Sequence, residues 1–341
     1  MGGMKFKFKR GVSDIVGVDI AASGIKAVRL KRGSNATMAP TLLAAALLPP
    51  VSIPTDGQAI PALTLPKSLG ARQVSIALTG KSALVKLLSF MGKTDAAIEA
   101  QLWEMMGIDK AAEFRISYRI LTEGHGRTES KVLAIAIPEA EIQLALQLFP
   151  SGLPAPYSIE LSGLASLSSF LQGPVFQFPD ETVGVIDFGA EVSFLAIFNK
   201  MVAVLVRKFD FGSKSILTRV QESMGVNTDT ALEIVSGGSI DLSQLFTDAM
   251  DPFIKQLVIS RDFLERRENC RISRIFVCGG ATVSRDWNTV VHNALGLPIT
   301  PWNPFEPVTI APDAIPDDLK GRETRFAAAM GAAWGTLDST L

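Results

Sequence analysis

The chain has 341 residues, 33 Lys plus Arg against 34 Asp plus Glu for a formal net charge of -1, and is 47% apolar and 20% charged. At roughly 150 residues per domain this length predicts about two domains, each able to bury a core, and excludes disorder over most of the chain. The balanced charge supplies no bulk attraction for a polyanion, which argues against nucleic-acid binding by the protein as a whole. Cys270, Cys278, His125 and His292 fit no zinc-finger or ribbon spacing, and two cysteines give no disulfide framework, so a reducing, cytoplasmic setting is expected. The most apolar stretches, 42–48 and 132–137, are closed by prolines far short of the ~20 residues a spanning helix needs. The basic start, Met4 to Arg10, runs into Asp14 and Asp19 instead of a long apolar run. It therefore reads as a solubilising tail, with contact to anionic lipid as the alternative, and not as a secretion signal.

In chain order, the first predicted element is a hairpin over Val16 to Val28: an apolar strand ending in Asp19, a small-residue turn, and a second alternating strand. Strands are predicted at 73–78 and 82–88, with Gly80-Lys81-Ser82 as the turn between them. That tripeptide imitates the end of a P-loop, but Ser75 stands where its first glycine should be. A helix follows over Thr94 to Met106, capped by Thr94 or Asp95, then strands at 115–121 and 131–137 around a solvated His125 turn, and a helix over 139–149. Leu161, Leu164, Leu167, Ser168 and Leu171 form a helical stripe expected to return to the first half's sheet.

The first hairpin then recurs in outline over Gly184 to Ala196, with Asp187 standing 168 residues after Asp19. Asp251 is expected to cap a helix with Pro252 in its first turn and its end near Glu268. A strand at 274–277 leads into Gly279-Gly280 and a helix from Thr282 or Ser284. The six prolines of 298–316 predict an ordered surface excursion before a last Ala-rich helix, 324–337. Such alternation predicts α/β or α+β layers, and a repeat of this length predicts a duplicated domain facing its twin.

The paired hairpins carry a chemical implication. A strand-turn-strand tip of small residues exposes successive backbone N–H groups that can cradle phosphate oxygens, and an Asp at the strand end can hold a hydrated magnesium. Asp19 with Ala22, Ser23 and Gly24, and Asp187 with Gly189, Ala190 and Glu191, would make a clamp of this kind from both sides. Gly279 and Gly280, delivered by a buried strand, permit close approach of a flat ligand face.

These three motifs, in this order, resemble the phosphate 1, phosphate 2 and adenosine motifs of the actin-like superfamily. More closely, the chain resembles the PilM family of type IV pilus assembly proteins, with similarity also to FtsA. The family's Asp-Ile-Gly-Ser-Ser-x-Val-Lys is matched by Asp19 to Lys26, and its Asp-Ile-Gly-Ala-Glu by Asp187 to Glu191. Further family-like marks are the Lys/Phe-rich start, 134–139, Glu160 ahead of a helix, Asn303-Pro304-Phe305 and the Ala-rich end.

The resemblance implies a ribonuclease H-like duplicated, two-lobed α/β fold. Residues 1–80, 151–180 and 320–341 would form the first lobe, 81–150 an inserted partner-binding α+β subdomain, and 181–319 the second lobe, with 213–269 its helical part. It implies ATP and Mg in the cleft. Asp19 and Asp187 would hold the Mg through water, Lys26 would belong to the nucleotide site, and Glu160 is the candidate for orienting a water. It also implies a scaffold, peripheral at the inner membrane. The groove beside the insertion would dock the cytosolic N-terminal peptide of a single-span PilN-like partner, and self-association is a further option.

Three departures bear on these expectations. Ala21 replaces a family glycine, restricting dihedrals and phosphate approach. Ala231-Leu232-Glu233-Ile234-Val235 stands where the family has Ala-Glu-x-x-Lys, and Met105-Met106-Gly107-Ile108 replaces a Pro-Phe-rich turn. The expectation is therefore weak ATP binding or none, with turnover slow or nil. The alternatives are an active small-metabolite kinase or ATPase of the superfamily and an FtsA-like filament former.

Overall fold

A computed structural model describes residues 12–33, 38–51, 60–94, 98–109, 113–237, 240–283 and 285–338. The basic start, Asp95 and Ser284 lie outside the described residues. In the first half, strands β1 (Asp14–Ala21), β2 (Gly24–Lys31), β3 (Thr41–Leu48), β4 (Gln73–Leu78) and β8 (Ala155–Leu161) lie in the order β3-β2-β1-β4-β8. In the second, β9 (Thr182–Phe188), β10 (Ser193–Asn199), β11 (Val202–Phe209), β12 (Ile272–Cys278) and β13 (Ile299–Pro301) lie in the order β11-β10-β9-β12-β13. The two orders are the same, and so are the directions: two antiparallel pairs, then two parallel ones. The chain has the duplicated, two-lobed α/β architecture expected of actin-like proteins.

Both central strands are buried on two faces, which is why β1 and β9 read as nearly continuous apolar runs. Helix α3 (Ser162–Leu171) follows β8, and α8 (Ala327–Asp338) closes the second half. The two cross tightly along a seam of small residues, Ala77, Ala165, Ala328 and Ala332. A Cβ on Gly331 would collide with the Ala165 carbonyl, so glycine is required at this crossing.

Between β4 and β8 the chain builds a separate three-stranded sheet, β5 (Leu84–Met91), β7 (Glu129–Pro138) and β6 (Phe114–Thr122), in the order β5-β7-β6. Helices α1 (Ile98–Met106) and α2 (Glu139–Gln147) belong to this insertion, whose small core gathers Ile98, Leu102, Met106, Val132 and Ala134. In the second lobe, α4 (Ser213–Met224), α5 (Thr228–Gly237), α6 (Ser243–Glu268) and α7 (Arg285–Leu295) cover one face of the sheet around Phe246, Phe253 and Trp287.

Four sequence expectations change. Strands β3, β8 and β11 are additions. Pro252 is not a first-turn residue but lies inside α6, a helix of 26 residues, on its exposed side. The stripe Phe246, Met250, Phe253, Leu257, Leu264 is buried on both sides of it, so packing carries the helix past the missing N–H. The segment 298–316 is not a surface excursion: Trp302, Phe305, Val308 and Ala314 are buried, β13 extends the second sheet, and β14 (Thr309–Ile310) pairs with β3. The last helix starts at Ala327, after a 3-10 turn over 323–326.

Candidate functional site

Register places the two aspartates equivalently. Asp19 pairs with Lys26 across the first hairpin and with Ala77 on β4, while Asp187 pairs with Phe194 across the second and with Cys278 on β12. Each therefore sits at the carboxyl end of its lobe's central strand, and both line one cleft of about 420 Å³ between the lobes. Both are buried.

Helix α3 lies between them and serves both. Ser162 Oγ donates to Asp19 Oδ1 at 2.6 Å, and one turn later Ser166 Oγ donates to Asp187 Oδ2 at 3.0 Å. The i, i+4 spacing puts the two hydroxyls on one face of the helix. Lys26 Nζ lies 3.5 Å from Asp19 Oδ2 and also donates to Ser23 Oγ and the Gly24 carbonyl. Asp187 has no ion pair among the described residues. Burial above all, then the Asp19 charge, pushes its carboxyl up to about 7, against the Ser166 hydrogen bond and the Lys26 charge. The Cys278 thiol behind it is raised too, by burial and by Asp187.

Ala21, Ser23, Lys26, Gly189, Ala190, Gly279 and Gly280 also line the cleft. Gly279 has φ +98°, and a Cβ there would strike the Phe188 carbonyl and crowd Asp187. Ala22, Gly24, Glu191 and Glu160 are not among the lining residues. Glu191 Oε1 accepts from Lys214 Nζ at 3.0 Å. Glu160 sits on edge strand β8 opposite Ala77, and burial pushes its carboxyl up to about 7. The second-hairpin tip is tied to α4, with Ser213 N donating to the Gly189 carbonyl and Lys214 N to that of Ala190.

Two groups of cleft residues carry no sequence signal strong enough to single them out. The serines of α3 lie in a stretch that reads as apolar or Ser; their four-residue spacing at the start of a helix is the available clue. Arg322, Thr324 and Arg325 enter from the turn before α8.

The donor set fits a hydrated magnesium carrying phosphate. Mg typically takes one or two carboxylates plus waters and substrate oxygens, and two facing carboxylates, one of them without a countercharge, favour a cation between them. No cluster of three or more His, Cys, Asp or Glu exists among the described residues, so such an ion would rely on water and ligand. The opposite wall is apolar: Ile216, Leu217, Leu232, Val235 and Phe246. It can pack a ring but offers no side-chain hydrogen bond to a sugar.

Residues 173–336 match the family model described as Type IV pilus assembly protein PilM. The chain resembles the PilM family. Its fold agrees with this along nearly its whole length: a solved structure described as the PilM-PilN type IV pilus biogenesis complex superposes with TM-score 0.75 and 21% identity, covering 95% of this chain and 98% of that one. Weaker likenesses, which carry no argument, are to the ethanolamine utilization protein EutJ from Carboxydothermus hydrogenoformans and to the activator of 2-hydroxyisocaproyl-CoA dehydratase from Clostridium difficile with bound ADPNP. Both are 12% identical. The first has TM-score 0.47 over 94% of this chain and 89% of that one; the second has 0.44 over 96% and 95%. No helix of the PilM-like chain is long and apolar enough, among the described residues, to cross a membrane.

Proposed function

We propose that this PilM-like chain is a cytoplasmic scaffold of a type IV pilus or related secretion assembly, held at the inner membrane by a single-span PilN-like partner whose cytosolic N-terminal peptide it docks. Its cleft binds nucleotide with magnesium weakly. Asp19 and Asp187 hold the metal's water shell, and the hairpin tips at Ser23, Gly189 and Ala190 face the phosphates. The apolar wall at Leu232 and Val235 offers the nucleotide's sugar no charged side chain, which keeps affinity low.

The observation that carries the scaffold reading is a groove of about 290 Å³ where the insertion meets the first lobe. Ile135 and Ile137 of β7, Ile142 and Leu146 of α2, and Tyr157 and Ile159 of β8 line it, with Arg115 of β6 at its side. β6 and β8 are the edge strands of their sheets. An open edge beside alternating apolar side chains is the surface that an extended peptide uses to add a strand.

The test is calorimetric titration of the full chain with the cytosolic peptide of the neighbouring-gene single-span protein. Micromolar binding is expected, weakened about tenfold or more by Tyr157→Ala, a half-exposed position whose truncation leaves the fold intact. Full-strength binding by Tyr157→Ala, or none by the parent, refutes the groove assignment.

A further inference from the structure

The outer face of α6 carries side chains that the fold itself does not use. Its inner stripe, from Phe246 to Leu264, is buried in the second lobe, which holds the helix rigid along its length. On the opposite side Ile259 and Phe263, one turn apart, are 61% and 55% exposed. Single exposed apolar residues are ordinary on a folded surface. This pair differs in the order of the charges around it. At steps of four residues the exposed row reads Asp251, Lys255, Ile259, Phe263, Arg267. Within the chain, Lys255 Nζ donates to Asp251 Oδ2 at 2.7 Å across one exposed turn. The Arg267 guanidinium lies 6.0 Å from the centre of the Phe263 ring and no closer than 3.7 Å to the carboxylates of Glu268 and Glu129.

The row is self-complementary about Ile259. A second copy turned end for end over this residue sets position 263 against 255 and position 267 against 251, and two-fold symmetry makes each pair occur twice. Ile259 then meets its own counterpart, the Phe263 ring meets the stem and ammonium of Lys255, and the Arg267 fork meets the Asp251 carboxylate. No like charges face each other along the row. A parallel arrangement would instead set Asp251 against Asp251 and Arg267 against Arg267. Residues four apart form a ridge on a helix, and the ridges of two helices run side by side when the axes cross at about 50°. The outer charged pairs therefore stay within reach although the axes diverge.

We propose that the exposed face of α6 is a self-association surface through which two copies of this chain pair antiparallel, with Ile259 on the two-fold axis. The contact is one helix face wide, at the small end of specific interfaces, so a dissociation constant of about 10–100 µM is expected.

The test is sedimentation equilibrium of the full chain at concentrations on both sides of that value, where a reversible monomer–dimer equilibrium is expected. Ile259→Asp brings two carboxylates together on the axis and should weaken pairing by about tenfold or more. Arg267→Asp and Asp251→Arg each set like charges together and should weaken it by about fivefold or more when studied alone. A 1:1 mixture of these two variants restores both ion pairs and should associate within about threefold of the parent. All three positions are exposed, and urea midpoints check that each variant remains folded. A parent that stays monomeric throughout, or that assembles beyond a dimer, overturns the proposal. So does undiminished pairing of Ile259→Asp, or a mixture that associates no better than its two components.

Discussion

Replacing Asp187 by asparagine tests the electrostatics of the cleft without a ligand. An aspartate titrates near 3.9 in an unfolded chain, and burial and Asp19 raise Asp187 to about 7 in the fold. Below about pH 4 both states hold the proton and the group is neutral to stability. Between about 4 and 7 the folded chain keeps a proton that the unfolded chain releases, so folding weakens as pH rises. Above about 7 both states are ionised and the full penalty persists. At about 1.4 kcal/mol per tenfold change in proton affinity, that penalty reaches at most about 4 kcal/mol. The amide introduced by Asp187→Asn cannot ionise, while Ser166 Oγ, which donates to Oδ2 in the parent, can still donate to the amide oxygen.

Urea unfolding of both proteins at pH 5, 6, 7 and 8, followed by tryptophan fluorescence, should show the Asp187→Asn variant more stable than the parent. Its advantage should grow by roughly 1 kcal/mol per pH unit from 5 to 7 and level off above. Glu160 titrates in the same range in both proteins and drops out of the difference. A stability difference that stays flat from pH 5 to 8 would refute the claim that this buried carboxylate is held without a countercharge.

Two glycines of α8 separate close contact from helix propensity. Gly331→Val should destabilise by about 3 kcal/mol or more, because even a Cβ there meets the Ala165 backbone, and thermal unfolding will show it. Gly335→Ala meets nothing and should stabilise by about 0.5–1 kcal/mol in the same assay. In the insertion, Leu102→Ala should cost about 2–5 kcal/mol. Because that core is separate, limited proteolysis of the variant should cut within 84–147 before the two lobes; simultaneous loss of all parts would count against a separate core.

The hairpins are legible because each has a short turn and a local partner, so residue type and register are fixed within a few positions: Asp19 pairs with Lys26 and Asp187 with Phe194. Strand β3 escapes a sequence reading because Thr41–Leu48 is rich in Ala and Leu, residues that favour helices; pairing with β2 and burial of Leu42, Ala44 and Ala45 override the propensity. Strand β8 is hidden by Pro154 and Pro156, which an edge strand tolerates. Pro252 misleads for the opposite reason: a helix-start signal is local, while the stripe from Phe246 to Leu264 is held by the whole second lobe. Of the cleft, the aspartates and glycines announce themselves by motif. Ser162, Ser166, Arg322 and Arg325 come from elements far apart in sequence that only the folded chain brings to one cleft.

What holds the lobes in register around the cleft can be decided by magnitude. The insertion touches the second lobe by apolar packing of Val85, Leu133 and Ile135 into the cluster that holds Phe198 and Val206, and by a polar clasp: Lys131 and Glu268 at 3.2 Å, Arg267 and Glu129 at 3.9 Å, and the Lys208 ammonium donating to the Lys81 carbonyl. The two ion pairs are partly or half exposed and are worth about 0–1 kcal/mol each, less at high salt. The α3–α8 seam is buried and close-packed, and a single misplaced Cβ there has no room to relax. The helix crossing, not the charged clasp, therefore sets the distance between Asp19 and Asp187. The ion pairs of the clasp contribute little by themselves, and their residues Glu129 and Lys131 lie on β7, the strand that also offers Ile135 and Ile137 to the groove. Groove and cleft are nonetheless not independent: Ile135, Ile137, Ile142 and Leu146 of the groove pack into one apolar cluster with Leu164, Leu167 and Phe170 of α3, the helix whose Ser162 and Ser166 hold the two aspartates, so a shift of α3 reaches both.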